Sequence, residues 1–458
     1  MATMSDWRKG GGVRYFGTDG VRGVAGVDLT ADLAFRLGQA AGLAFRPGNV
    51  LVAQDTRLSG PALATACAAG LAAAGCDVDL AGVLPSPAVS HLVVQSGYGL
   101  GCVVSASHNP PPDNGIKFYG RDGLKLSVAD EERVESLLEA RPRAGPRGRV
   151  TPRPAVAESY LAFLRERGGG LSLAGLKIVL DCAHGATARV APMLFATLRA
   201  ELVLLGAEPD GARINATGAA AMDAVTAAVP AERADLGIAF DGDGDRALFV
   251  DGRGDIVEGD RLIAALAPHL LSWNELSSPE VVFTVLANLG AEQYLTARGF
   301  RVERVDVGDR NVAWAMREGG SDLGGEPSGH IIYRPWAVTG DGILTALLVL
   351  RVLIRAGTDL ASLVAPVPLY PQLRRDVPVE DREAALADPR VRAAIQAAQA
   401  KLDGTGRLIV RPSGTQPLIR IMAEGPDEAV LHGAVDPIAD ALAPQRTTGQ
   451  RTARTSQT

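Results

Sequence analysis

The sequence predicts an α/β protein: three similar α/β domains with mixed sheets, then a smaller C-terminal α+β domain, all around a central cleft. Three observations predict it. Short apolar runs alternate with capped or amphipathic helical stretches over roughly the first 366 residues, the pattern of wound α/β sheets. In each of three successive rounds a strand-length run stops at a polar loop, which hints at an internal repeat. Beyond that point the order changes to strand, helix and two further strands, closed by one more polar turn. At 458 residues the chain is too long for one compact core. The expected boundaries are 1–153, 154–256, 257–366 and 367–444, with 445–458 as a disordered tail. Four loops are expected to meet in one cleft.

The first round opens with a loose, Gly-rich end and then the turn Tyr15–Gly23, whose Arg22 can be aimed at an anion. Thr30 caps a helix through Phe45, and Val50–Gln54 is a buried strand. Ser59 caps a second helix with Pro61 in its first turn and Gly75 at its end. Leu100–Val104 is a strand that stops at Ser105–Pro110, and a second extended piece holds Lys117. Ala129–Ala140 is amphipathic, and Arg141–Pro154 reads as a linker. The second round runs Lys177–Leu180, Leu202–Leu205 and Leu236–Phe240, then Asp241–Arg246 and the return strand Ala247–Asp251. The third runs Val281–Leu286 and Val302–Val305, then Gly324–His330 and Ile331–Tyr333. In the last domain Arg374–Val379 and Gly406–Val410 flank a helix, and the turn Arg411–Pro417 precedes Leu418–Ala423. The tail from Gln445 has three Arg and almost no apolar residue.

A net charge of −6 provides no global basic field, and 5% aromatic content argues against base-stacking platforms, so nucleic acid is not an expected partner. The most apolar run, Ile343–Ile354, is interrupted by Arg351 and too short to span a bilayer, so it reads as a buried helix and no membrane partner is expected. No signal-peptide run precedes Val13, and Cys67, Cys76, Cys102 and Cys182 lack CxxC spacing. They read as reduced core residues of a cytoplasmic protein.

Ser107, His108 and Lys117 bring a hydroxyl, an imidazole and an amine to one strand end, where α/β enzymes place chemistry. Lysine is scarce: Lys9, Lys117, Lys125, Lys177 and Lys401 are the only ones among 46 basic residues. An Arg keeps its proton, whereas a Lys can be tuned to give it up. Asp241, Asp243 and Asp245 alternate with Gly, so three carboxylates can curl around one point and would repel unless a cation joined them. Hard oxygen ligands suit Mg²⁺. An EF-hand is excluded because its sixth and twelfth positions would be Arg246 and Gly252. Arg411, Ser413, Gly414, Thr415 and Arg420 form a phosphate cradle. Glu326 and Ser328 suit sugar hydroxyls, and His330 can bind phosphate or move protons. A serine, a divalent-metal site, an amine and a phosphate cradle fit phosphoryl transfer through phosphoserine.

In this order the loops resemble the α-D-phosphohexomutases from about Val13 to Gly425. Tyr15–Gly20, Val307–Arg310, Thr339–Gly342, Ser413–Thr415 and Pro417–Arg420 carry the likeness and point to the branch acting on amino sugars. The resemblance implies that Ser107 is the phosphorylated serine and that one Mg²⁺ lies on Asp241, Asp243, Asp245 and the serine's phosphate. It makes Lys117 the acid/base, with His108, Arg22, Arg246 and His330 as further active-site groups. Glu326 and Ser328 become sugar contacts, and the loop around Ser413 binds substrate phosphate. The implied reaction interconverts glucosamine 6-phosphate and glucosamine 1-phosphate through a bisphosphate, supplying amino sugar for cell-wall precursors. The alternatives are a phosphomannomutase/phosphoglucomutase and a silent sugar-phosphate-binding protein. The partners implied are sugar phosphates, with a homodimer left open. Two positions depart from the branch's usual pattern: Pro327 replaces a Gln, and the phosphate loop has Pro412 and Gln416 in place of Lys and Glu.

Overall fold

The computed structural model describes residues 15–17, 19–140, 147–413 and 417–443. The expected tail and the positions Gly414 and Thr415 lie outside the described residues. The chain divides into two compact units, one running to Ala287 and including Tyr294–Val367, the other made of Asn288–Gln293 and the residues from Pro368 onward.

The first unit holds three mixed sheets. The first sheet has the order Phe16–Gly17, Gly20–Val24, Asp113–Tyr119, Leu100–Val104, Asn49–Gln54, Asp77–Val83 and Val150–Pro152. Its last four strands are parallel and its first three join antiparallel. Leu100–Val104 is buried at every position, as a parallel strand covered on both faces must be. The second sheet pairs Lys177–Asp181 in parallel with Glu201–Leu205 and Leu236–Phe240, and the latter turns back antiparallel into Ala247–Asp251. The third pairs Glu280–Thr284 in parallel with Arg301–Val305 and Leu323–Gly325, and the latter turns back into Ile331–Tyr333. One device thus recurs: a buried parallel strand, a polar loop, and an antiparallel return. The loops are Ser105–Pro112, Asp241–Arg246 and Glu326–His330.

Local chemistry explains most boundaries. Thr30 accepts a hydrogen bond from the Leu33 amide and starts the helix Ala31–Phe45. The helix Gly60–Ala73 forms as its pattern predicts, but Ser59 does not cap it. Its hydroxyl instead accepts from the Asn114 amide, 2.8 Å away. The expected linker Arg141–Pro154 supplies the edge strand Val150–Pro152, whose short alternating polar pattern hid it. The strand expected to reach Leu286 ends at Thr284. The apolar run at Ile343 is a helix, Gly342–Ala356, with Ile343, Leu347, Leu350 and Leu353 in the core. Among the described residues no helix is long and apolar enough to cross a membrane, and all four cysteines are buried and unpaired.

The second unit is an antiparallel sheet in the order Gln372–Pro378, Leu418–Glu424, Arg407–Pro412. Two helices, Arg382–Ala387 and Pro389–Leu402, stand where one was expected, divided because Asp388 caps the second and Pro389 begins it. They and Glu428–Leu442 enclose a core of Val391, Ile419, Ile421, Val435 and Ile438.

Candidate active site

The three recurring loops of the first unit come together. Asp241 accepts a hydrogen bond from the Ser107 hydroxyl at 2.7 Å through Oδ2. Its other oxygen takes the Gly244 and Arg246 amides at 3.1 and 3.2 Å, so Asp241 also fastens its own turn. A Cβ at Gly242 would lie 2.8 Å from the Ser107 carbonyl, and Gly244 has φ +76°. Those two glycines let the carboxylate loop pass under the serine loop. Ser107 itself has φ +50°, a left-handed conformation costing about 1–2 kcal/mol for a residue with a side chain.

Asp241, Asp243 and Asp245 are buried, and one oxygen of each lies within 4.8 Å of the others. At that spacing and an effective dielectric of about 20, each charged pair repels by roughly 3 kcal/mol or more. Burial and the two neighbouring carboxylates raise the Asp241 pKa well above the usual range. Oδ1 of Asp243 and Oδ1 of Asp245 have no hydrogen-bond partner although buried. Asp243 uses its other oxygen for the Ser86 hydroxyl and for Lys117. Buried, unpartnered carboxylate oxygens are unfavourable without a cation. The donor set therefore fits a hard divalent ion, and the cluster can bind a metal.

Lys117 Nζ lies 2.7 Å from Asp243, 3.7 Å from Asp19 and 3.8 Å from Asp245. Burial opposes its charge, but Asp19 and Asp243 prevail and raise its pKa well above that of a free lysine. Lys125 is a second buried amine, bonded to Asp19 and Asp309. Arg22 bonds Asp19 and, at 2.9 Å, the Asn109 side-chain carbonyl. Arg246 Nε lies 3.9 Å from Asp245 Oδ1, an ion pair too long for a hydrogen bond, and the Nε atoms of Arg22 and Arg246 are buried without a hydrogen-bond partner. His108 Nδ1 is 3.5 Å from the Ser107 hydroxyl. The walls around its ring, then Arg246 and Arg22, push its pKa down to about 4, so it is neutral at pH 7.

His330 Nε2 accepts the Gly340 amide at 3.0 Å, so in the neutral ring Nδ1 carries the proton and faces Asp245 at 3.7 Å. Burial lowers its pKa, but Asp245, Asp309 and Glu326 outweigh that and raise it. Glu326 is held by the Gly308 amide at 3.1 Å, with the Ser328 hydroxyl at 3.5 Å. The Pro327 carbonyl accepts the Gly259 amide and the Gly329 carbonyl accepts that of Ala247, which ties the sugar-loop candidates to the carboxylate hairpin.

In the second unit Arg411 and Arg420 are cross-strand partners, and Arg420 lies 3.5 Å from Asp376. Ser413 is buried, and Arg382, absent from the sequence reading, bonds its carbonyl. Sequence reading also passed over Asp19, Lys125 and Asp309 as charges. The signal was present: Asp19 and Asp309 lie in the turns that carried the likeness, and Lys125 is one of few lysines. Asp55, Arg57 and Asn215 were missed too. The Asp55-Thr56-Arg57 triplet follows a buried strand, as the Ser107 loop does.

Four family models match the chain in order: phosphoglucomutase/phosphomannomutase alpha/beta/alpha domain I over 13–144, domain II over 158–254, domain III over 258–370, and the C-terminal domain over 376–441. A phosphoglucosamine mutase of Geobacillus kaustophilus is 43% identical over 441 residues, 94% of this chain and 98% of that protein. One of Moorella thermoacetica is 45% identical over 430 residues, 91% and 96% respectively. The crystal structure of a phosphoglucomutase/phosphomannomutase family protein of Burkholderia thailandensis superposes with a TM-score of 0.79 at 28% identity, covering 96% of this chain and 98% of that one.

Proposed function

The chain belongs to the phosphoglucomutase/phosphomannomutase family of α-D-phosphohexomutases, and we propose that it interconverts glucosamine 6-phosphate and glucosamine 1-phosphate through a phosphorylated Ser107. The activity is that of the curated relatives which match it nearly end to end. The observation that carries the mechanism is the Ser107 hydroxyl hydrogen-bonded to a buried three-carboxylate cluster that retains two oxygens without a hydrogen-bond partner.

In the forward step the bond from phosphorus to Ser107 Oγ breaks and one to the free sugar hydroxyl forms, giving a bisphosphate. The sugar hydroxyl's proton passes to His108, neutral at pH 7, which gives it back in the return step, and Oγ must receive one. Lys117, buried and charged, donates to Oγ and recovers the proton in the return step, when the other phosphate moves back to Ser107. Arg22 and Arg246 balance the charge on the moving phosphoryl group. Glu326 and Ser328 hold the ring, and Arg411, Ser413, Gly414, Thr415 and Arg420 hold the phosphate that is not reacting. Mg²⁺ on Asp241, Asp243, Asp245 and a phosphoserine oxygen would neutralise charge as it develops.

Replacing Asp243 by Asn removes one carboxylate from this set. The Mg²⁺ concentration for half-maximal activity is expected to rise about tenfold or more, with kcat falling alongside. An unchanged Mg²⁺ titration would mean that the loop is only a turn.

A panel of 1-phosphates tests the sugar. Glucosamine differs from glucose at C2 by an ammonium, and a carboxylate-lined site favours that cation. Pro327 has no side-chain donor, but its ring fixes φ and its carbonyl is held by Gly259, so Glu326 and Ser328 stay placed. The highest kcat/KM is expected for glucosamine 1-phosphate, with some relaxation toward glucose 1-phosphate. A higher value for glucose 1-phosphate or mannose 1-phosphate would overturn the amino-sugar assignment and leave the family chemistry standing.

A further inference from the structure

Arg57 is completely buried, lies outside the carboxylate cluster, and takes no part in the phosphoryl transfer just described. Its five N–H donors are all used. Nε pairs with Asp55 Oδ2 at 3.0 Å. Nη1 bonds the carbonyls of Pro110 and, at 2.8 Å, Asp113. Nη2 bonds those of Ser107 at 2.9 Å and Asn109 at 2.7 Å. Asp55 Oδ2 also accepts the Ser105 hydroxyl, whose oxygen in turn accepts the Ser107 amide at 2.9 Å. From the second sheet's domain Asn215 reaches the same Ser107 and Asn109 carbonyls at 2.8 and 3.0 Å.

We infer that Arg57, anchored by Asp55, is a positioning residue that clamps the backbone of the Ser107 loop in its left-handed conformation and so aims the hydroxyl at the carboxylate cluster. The inference rests on the mutase reading. A loop with a strained residue and three consecutive prolines supplies few amide donors of its own, and these four carbonyls face the buried guanidinium. One planar guanidinium satisfies four of them at fixed angles, which an ammonium, with three donors and no plane, cannot do. The charge buried in doing so needs Asp55 as its partner. Small displacements of a reacting group are enough to cost about two orders of magnitude in rate.

The test compares wild type with Arg57→Lys, with sugar phosphate varied at saturating Mg²⁺. A kcat lower by about 100-fold, a KM within about threefold and a melting point above the assay temperature are expected. Faster hydrogen exchange at the Ser107 and Asn109 amides should accompany them. A kcat within about threefold of wild type, or a KM rising in step with the loss of kcat, overturns the positioning role. Should Arg57→Lys fail to fold, Ser105→Ala removes only the hydroxyl link. It is expected to lower kcat about tenfold at wild-type melting point and KM, and a wild-type kcat overturns the proposal. A wild type inactive on every hexose phosphate ends the mutase reading and, with it, the catalytic consequence. Exchange at Ser107 and Asn109 then still decides on the clamp itself, which unchanged exchange in Arg57→Lys refutes.

Discussion

Ser107→Ala is expected to lose mutase turnover by about 10⁴-fold or more while keeping its fold and melting point. The loss follows from the chemistry, since among the described residues the only other hydroxyl bonded to the three carboxylates is that of Ser86, which donates to Asp243 and begins the helix Ser86–Ser96. The fold survives because, apart from the hydroxyl's bond to Asp241, the bonds that shape the loop at this position use the backbone. The Ser107 amide bonds Ser105, and its carbonyl takes Arg57 and Asn215. Ala meets the same left-handed φ as Ser. Steady-state turnover of glucosamine 1-phosphate by the purified variant checks this, with circular dichroism for the fold. Activity within tenfold of wild type would remove Ser107 from the mechanism.

Lys117→Arg is expected to reduce kcat by about 10²-fold or more, nearly as much as Lys117→Ala. The two variants separate charge from proton transfer. Lys117 is the cation on buried Asp243, whereas Asp19 keeps Lys125 and Arg22, so removing the amine leaves one buried carboxylate uncompensated and should destabilise Lys117→Ala by roughly 3–5 kcal/mol. Arg keeps the charge and most of that stability but cannot release its proton. Thermal melting should therefore distinguish the two variants, whereas activity should not. If Lys117→Arg retains most of its kcat, the residue contributes charge alone.

Much of the architecture could be read because the strands are buried on both faces and flanked by unambiguous caps. Leu236–Phe240 is a continuous apolar run ending in an Asp-Gly loop, and Thr30 caps the first helix as expected. The misses have physical reasons. Val150–Pro152 is exposed and three residues long, so no hydrophobic period marks it. Ser59 looked like a cap, but a tertiary partner, Asn114, takes its hydroxyl. In the site, the residues with unusual chemistry stood out: a lone serine loop, three alternating aspartates and a scarce lysine. Residues that act by holding others did not. Arg57 is one of many arginines, and its burial and its four carbonyl partners arise only when the loop at Ser107 folds back over it. Lys125 gains its meaning from Asp309, which is distant in sequence.

The claim that Ser107 carries the phosphoryl group is tested most directly by intact-protein and peptide mass spectrometry in a single turnover. Enzyme phosphorylated beforehand is mixed with no more than one equivalent of glucosamine 6-phosphate at saturating Mg²⁺ and quenched over time. One phosphoryl group mapped to Ser107 at the start, lost to the sugar as bisphosphate forms and regained as glucosamine 1-phosphate appears, is the predicted result. Full turnover by enzyme that never carries phosphate on Ser107, or phosphate that stays on Ser107 while product accumulates, would contradict it.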